Sequence, residues 1–196
     1  HPDITLDLTF DDHYVNLVEQ GVDLAIRMGP MADSTLGARY LGTNPWLMVA
    51  APPYLAARGT PVSAADLAAH DCVVYSSVQG DDRWSLTGPS GEEASVPVTG
   101  PLRTNNLSTV LAAVHDGMGV AVVPRLLAQE HLARSELVHL LPGWVFARYT
   151  VYAALPSGRM LPARTKVFLD FLSERVQELV QQRKLAQCCP GIDTVS

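Results

Sequence analysis

A chain of 196 residues with 47% apolar side chains has ample material for a packed core, and its length suits one large domain or two small ones. A formal charge of −6, with only 14 Lys and Arg, argues against a surface that grips phosphate backbones. No apolar run approaches the roughly 20 residues of a membrane-spanning helix, and the opening HPDITLDL has neither the basic nor the apolar region of a signal peptide, so the chain reads as cytoplasmic.

In chain order, residues 4–10 alternate, with Ile4, Leu6, Leu8 and Phe10 on one side, and predict a half-buried strand. A helix is expected next, capped by Asp11 or Asp12, with Val15, Leu17 and Val18 on its apolar face and Gly21 as its stop. VDLAIR, LGARYLG and WLMVAA read as strands, and Pro52, Pro53 and Tyr54 start a short helix ending near Gly59. Ser63 caps a further short helix, SAADLAAH. Strands alternating with helices predict a parallel or mixed sheet.

From Cys72 the texture changes to CVVYSS, RWSLTG, the turn PSGE, ASVPVTG and PLRTN, which reads as a hairpin region. A second clear helix follows, capped by Asn105 or Asn106, carrying Leu107, Val110, Leu111 and Val114 at helical spacing and stopped by Gly117. GVAVVP is then a buried strand, RLLAQEHLA a helix, and ELVHLL and FARYTVYAALP further strands. The last helix, about residues 162–185, is expected to bury Val167, Phe168, Phe171, Leu172, Val176 and Leu179, with QCCPGIDTVS a loose tail.

Motifs for catalysis are missing: there is no GxSxG elbow, no P-loop, and Gly117 and Gly119 form GMG without the rest of a dinucleotide fingerprint. None of the six histidines sits in HExxH or another recognised metal spacing, and His115, beside Asp116, reads as solvated or capping. Cys72 reads as a small buried hydrophobe, and adjacent Cys188 and Cys189 have no companions at zinc spacing, so no metal site is expected.

The helix starts are more informative. Asp11 and Asp12 stand after a strand, where α/β folds place ligands, and equally suit plain capping. Asn105 and Asn106 can cap a helix whose free N–H groups attract a carboxylate or another anion. Arg27, ending an apolar strand, suits either that anion's charge or an ordinary salt bridge.

The succession HPDITLDL, LVEQGVDLAIRMG, LGARYLG, PPYLAARGTP, DLAAHDCVVYSS, NNLSTVLAAVHDGMGVAVVP, LVHLLPGW and LPSGRMLPARTKVFLDFL, over residues 1–176, resembles the effector-binding (substrate-binding) domain of LysR-type transcriptional regulators. The resemblance implies a two-lobe α/β fold of the type 2 periplasmic-binding-protein kind, with two crossover strands and a small co-inducer in the interlobe cleft. Lobe I would comprise residues 1–74 and 150–185, lobe II residues 75–149, and the tail 186–196, with crossovers near 73–76 and 146–150. Relative to the family pattern, the N-terminal winged helix-turn-helix and the first strand and helix of lobe I are expected to be missing, so DNA binding would belong to the absent part.

The candidate ligand-binding residues are Phe10, Asp11, Asp12 and Arg27 together with Asn105, Asn106 and Leu107. The expected partners are an anionic small-molecule effector and further copies of the chain, as a dimer or tetramer, with no membrane, cofactor or catalytic residue. The alternatives are a solute-binding protein of a transporter and an enzyme on the same two-lobe fold.

Overall fold

VAVVP has no polar side chain to turn toward water, and it forms the middle of a sheet. In the computed structural model, which describes residues 4–10, 17, 19–28, 37–76, 82–146, 148–156 and 161–187, contacts divide the chain into two units, His1–Thr43 with Thr150–Ser196, and Asn44–Tyr149. The boundary expected at residue 74 falls inside the second of these. Both junctions lie within strands: β2 (Gly37–Ala50) and β9 (Arg148–Leu155).

In the second unit, the later part of β2 runs antiparallel to β7 (Val120–Pro124), pairing Trp46 with Pro124 and Val49 with Ala121. On its other side lies β8 (Val138–Leu140), with Val49 opposite His139. Beyond β7 come two parallel neighbours, β3 (Asp71–Tyr75) and then β6 (Thr99–Thr104). The sheet is therefore mixed, as the alternation of strands and helices predicts.

The hairpin expectation holds only for β4 (Arg83–Thr87) and β5 (Glu93–Pro97), which pair antiparallel from Arg83–Pro97 to Thr87–Glu93. PLRTN instead joins the main sheet as part of β6. Gly100 permits this: a Cβ there would lie 2.0 Å from the Cys72 carbonyl oxygen, at a register shift between β3 and β6.

Among the described residues, three α-helices belong to this unit: α1 (Pro52–Arg58), α2 (Leu107–His115) and α3 (Arg125–Ala133). Residues 64–69, after Ser63, form a 3-10 helix closed by a reciprocal capping box with Asp66. Val110 and Val114 of α2 join Trp84, Leu67, Val73 and Val122 in one core.

In the first unit, β1 (Ala25–Met28) runs antiparallel to β9, with Arg27 opposite Tyr152. Both faces of β9 are used. Ala153, Val151 and Leu155 pack with Leu41 and with Leu169, Leu172 and Val176 of α4 (Ala163–Gln187), whereas Tyr152 and Ala154 pack on Leu17.

One sequence expectation fails here, and the one for α4 holds only in part, since Leu172 and Val176 do pack on the core. Residues 4–10 form no strand, and Leu6, Leu8 and Phe10 are exposed; period-two patterning makes a face but cannot supply the neighbouring strand that its backbone needs. On α4 the buried stripe runs through Thr165, Leu169 and Ser173, while Phe171 is exposed beside the Arg175 guanidinium. Ser173 can be buried because its hydroxyl donates to the Leu169 carbonyl at 2.7 Å. The helix expected from Asp11 to Gly21 lies mostly outside the described residues.

Candidate functional site

The start of α2 is built by three neighbouring polar groups. Asn106, in extended backbone geometry, is the cap; its Oδ1 accepts from the Thr109 N–H at 2.9 Å and lies 3.1 Å from the Thr109 hydroxyl. The Asn106 N–H in turn donates to Thr104 Oγ1 at 3.2 Å. The first intrahelical bond runs from Val110 N–H to the Asn106 carbonyl, so the amides of Leu107 and Ser108 precede the ladder. Leu107 packs its side chain against the core, while Asn105 and Asn106 are exposed. The result is a capped helix start whose first amides lie outside the intrahelical ladder, at the positive end of the helix dipole.

Of the expected ligand residues, Asn105, Asn106 and Leu107 thus come together, and Asn106 rather than Asn105 is the cap. Arg27 is half-buried in β1 of the first unit. Phe10 is 90% exposed in a segment without strand pairing. Asp11 and Asp12 lie outside the described residues. Thr104 and Thr109 are the residues that the sequence motifs above do not reach, although a Thr three residues after a capping Asn is a legible signal.

Elsewhere on the second unit, a shallow depression of about 340 Å³ is lined by Tyr54, Arg58, Asp71, Asp116 and Met118 among others. Its wall is held by an ion pair of Arg58 with Asp71 at 3.3 Å and by Tyr54, whose hydroxyl accepts the Asp71 N–H and lies 3.0 Å from His70 Nδ1. Burial pushes the Tyr54 phenol above its ordinary pKa, so it stays protonated. Cys72 is buried as expected; burial, with a smaller contribution from the Asp71 charge, pushes its thiol up to about 12, which removes it as a nucleophile.

The ends of α2 and α3 are built alike. After α2, Gly117 adopts φ +76°, its N–H bonds the Val114 carbonyl, and the Met118 N–H bonds that of Ala113. After α3, Ser135 takes φ +57°, with Ser135 N–H to Leu132 and Glu136 N–H to His131. Both are Schellman closures. The second folds Glu136 back over the last turn of α3, where its Oε2 sits 2.7 Å from His131 Nδ1. His131 is also 2.8 Å from His115 Nε2 at the end of α2. The hydrogen bond from His131 holds the Glu136 carboxyl below the usual carboxylate range, aided by nearby positive charge. No spacing motif foretells this group, because α2 and α3 meet only in the folded chain.

Comparison with known proteins agrees with this architecture. The solved regulatory domain of CrgA, a LysR-type transcriptional regulator from Neisseria meningitidis, matches with a TM-score of 0.77 at 29% identity, covering 90% of this chain and 86% of that one. Full-length AphB, a Vibrio cholerae virulence activator, matches with a TM-score of 0.78 at 26% identity, over 89% of this chain and 59% of that one. The fold is thus that of LysR regulatory domains, the type 2 periplasmic-binding-protein-like α/β fold.

Residues 1–177 match the family described as the LysR substrate binding domain, and the chain belongs to that family. It is 35% identical over 175 residues to the HTH-type transcriptional regulator PtxR of Pseudomonas aeruginosa, covering 89% of this chain and 56% of that protein. The chain therefore spans little more than half the length of that relative.

Proposed function

We propose that the chain is the part of a LysR-type transcriptional regulator that senses a small anionic effector. The observation that carries this is the family match over residues 1–177. The start of α2 supports the choice of an anion: exposed Asn105 and Asn106 flank amides that precede the helical ladder, and a carboxylate there gains from both the N–H donors and the dipole. Phe10, Asp11, Asp12 and Arg27 are the further candidates, with Arg27 as the charge partner. The two compact units would act as the two lobes, and effector binding would favour one of their arrangements over another.

DNA binding in the whole regulator would be carried outside these 196 residues, in keeping with the relatives' helix-turn-helix names and with the net charge of −6. Cytoplasmic location and homo-oligomerisation, as a dimer or tetramer, follow from the same reading; no described helix is long and apolar enough to cross a membrane. A catalytic role is not part of it, and the relatives' names as transcriptional regulators do not favour a transport or enzymatic alternative.

Native mass spectrometry of the purified chain tests the ligand class. A co-purified carboxylate supports the reading, and a neutral compound overturns the anionic assignment. With the ligand in hand, Asn106→Leu should weaken binding by about tenfold in calorimetry, from loss of one or two charge-assisted contacts, with the circular dichroism unchanged. Equal affinity would remove α2 from the site.

A further inference from the structure

His115, His131 and Glu136 present three lone-pair atoms to one small volume. His131 Nδ1 lies 2.8 Å from His115 Nε2 and 2.7 Å from Glu136 Oε2, and the last two atoms are 3.7 Å apart. The imidazole rings meet edge to face, at 74° and 4.6 Å between centroids, so their nitrogens converge. His131 Nδ1 carries at most one proton. If that proton bonds Glu136, the contact with His115 must share it; if His115 Nε2–H donates to His131 instead, the Nδ1 lone pair serves that bond while a carboxylate oxygen sits 2.7 Å away. Either protonation pattern leaves one short contact poorly satisfied.

A divalent cation resolves this, because it accepts from all three atoms at once. We propose that His115 Nε2, His131 Nδ1 and Glu136 Oε2 bind a divalent transition-metal ion of the zinc class, with water completing the coordination.

The geometry suits such an ion. Zinc bonds of about 2.0–2.1 Å set tetrahedral ligands about 3.3 Å apart, and the three separations of 2.7, 2.8 and 3.7 Å bracket that spacing. Two imidazoles and one carboxylate favour zinc, cobalt, nickel or copper over magnesium or calcium, which take oxygen ligands. Both histidines lie in the last turn of their helices, where the negative end of each dipole favours a cation. The side chains are partly exposed, so an ion can enter from solvent, and the Schellman turn at Ser135 fixes Glu136 against His131 before it arrives. On binding, the His131 Nδ1 proton leaves to solvent and its lone pair forms the bond to the metal.

The bound ion would join the end of α2 to the end of α3. It would act at the opposite end of α2 from Asn106, independently of any effector bound there.

The test is a calorimetric titration of the 196-residue chain with zinc chloride, in a Cys188→Ser, Cys189→Ser background so that adjacent thiols do not compete. The expected result is one equivalent bound with micromolar or tighter affinity, a raised melting temperature, and a cobalt(II) derivative whose visible spectrum is that of nitrogen and oxygen ligands. His131→Ala and His115→Ala should each weaken binding by about tenfold or more. Glu136→Gln, at a partly exposed position, should do so while keeping the fold, and it decides the matter if either histidine variant fails to fold. No saturable binding, or undiminished affinity in Glu136→Gln, would overturn the proposal.

Discussion

A proton on His139 burdens the folded chain more than the unfolded one. The side chain is half-buried in β8, and burial first, then the nearby Arg125 charge, pushes its pKa below the ordinary value of about 6.5. Below that pH the unfolded chain takes up a proton that the folded chain resists. This contribution to stability is complete above the ordinary value and is lost as the pH falls toward the folded-state value. Denaturant titrations at pH 7.5 and 5.5 should therefore show a smaller drop for His139→Gln than for the parent chain; equal drops would remove His139 from the account. Residues of this kind are hard to recognise in sequence. Cys72 is legible because it opens the apolar run CVVYSS, whereas His115 reads only as solvated or capping because its neighbour His131 stands 16 positions away on another helix.

Among elements, those whose signals are local were the legible ones. The cap at Asn106, the spacing of Val110 and Val114, and the stop at Gly117 all lie within a few residues of the bonds they make, and α2 forms as expected. Residues 4–10 and β6 depended instead on partners far along the chain. β6 reads as part of a hairpin because its parallel pairing with β3 leaves no mark in its own sequence except Gly100. That glycine is consequently a sharp test of the pairing. In Gly100→Ala the new methyl group would meet backbone atoms of Cys72, with no flexible side chain to move aside. We expect a loss of about 1–3 kcal/mol, measured by urea denaturation, whereas Gly91→Ala, with open space around it but φ +87°, reports backbone strain alone. An unchanged midpoint for Gly100→Ala would argue against the β3–β6 register. On α4, Ser173 escapes a reading by hydropathy, which counts a hydroxyl as polar even when, as here, it bonds its own helix.

At the scale of the whole molecule, the resemblance carried in the order of the motifs told more than any single element, since it reached the family directly. The acidic balance also acts at this scale. At physiological salt the chain should give no electrophoretic shift of duplex DNA, since it has few cations with which to displace counterions from phosphate; a shift would place nucleic-acid contacts within these residues. The way the strands are buried has a separate consequence for which sequences the fold accepts. β7 is buried at five consecutive positions, while β4 alternates between buried and exposed. In a library of single substitutions selected for folded protein, β4 should tolerate charge at every second position and β7 at none, so the central strand would drift slowly among related sequences while the hairpin diversified on one side only.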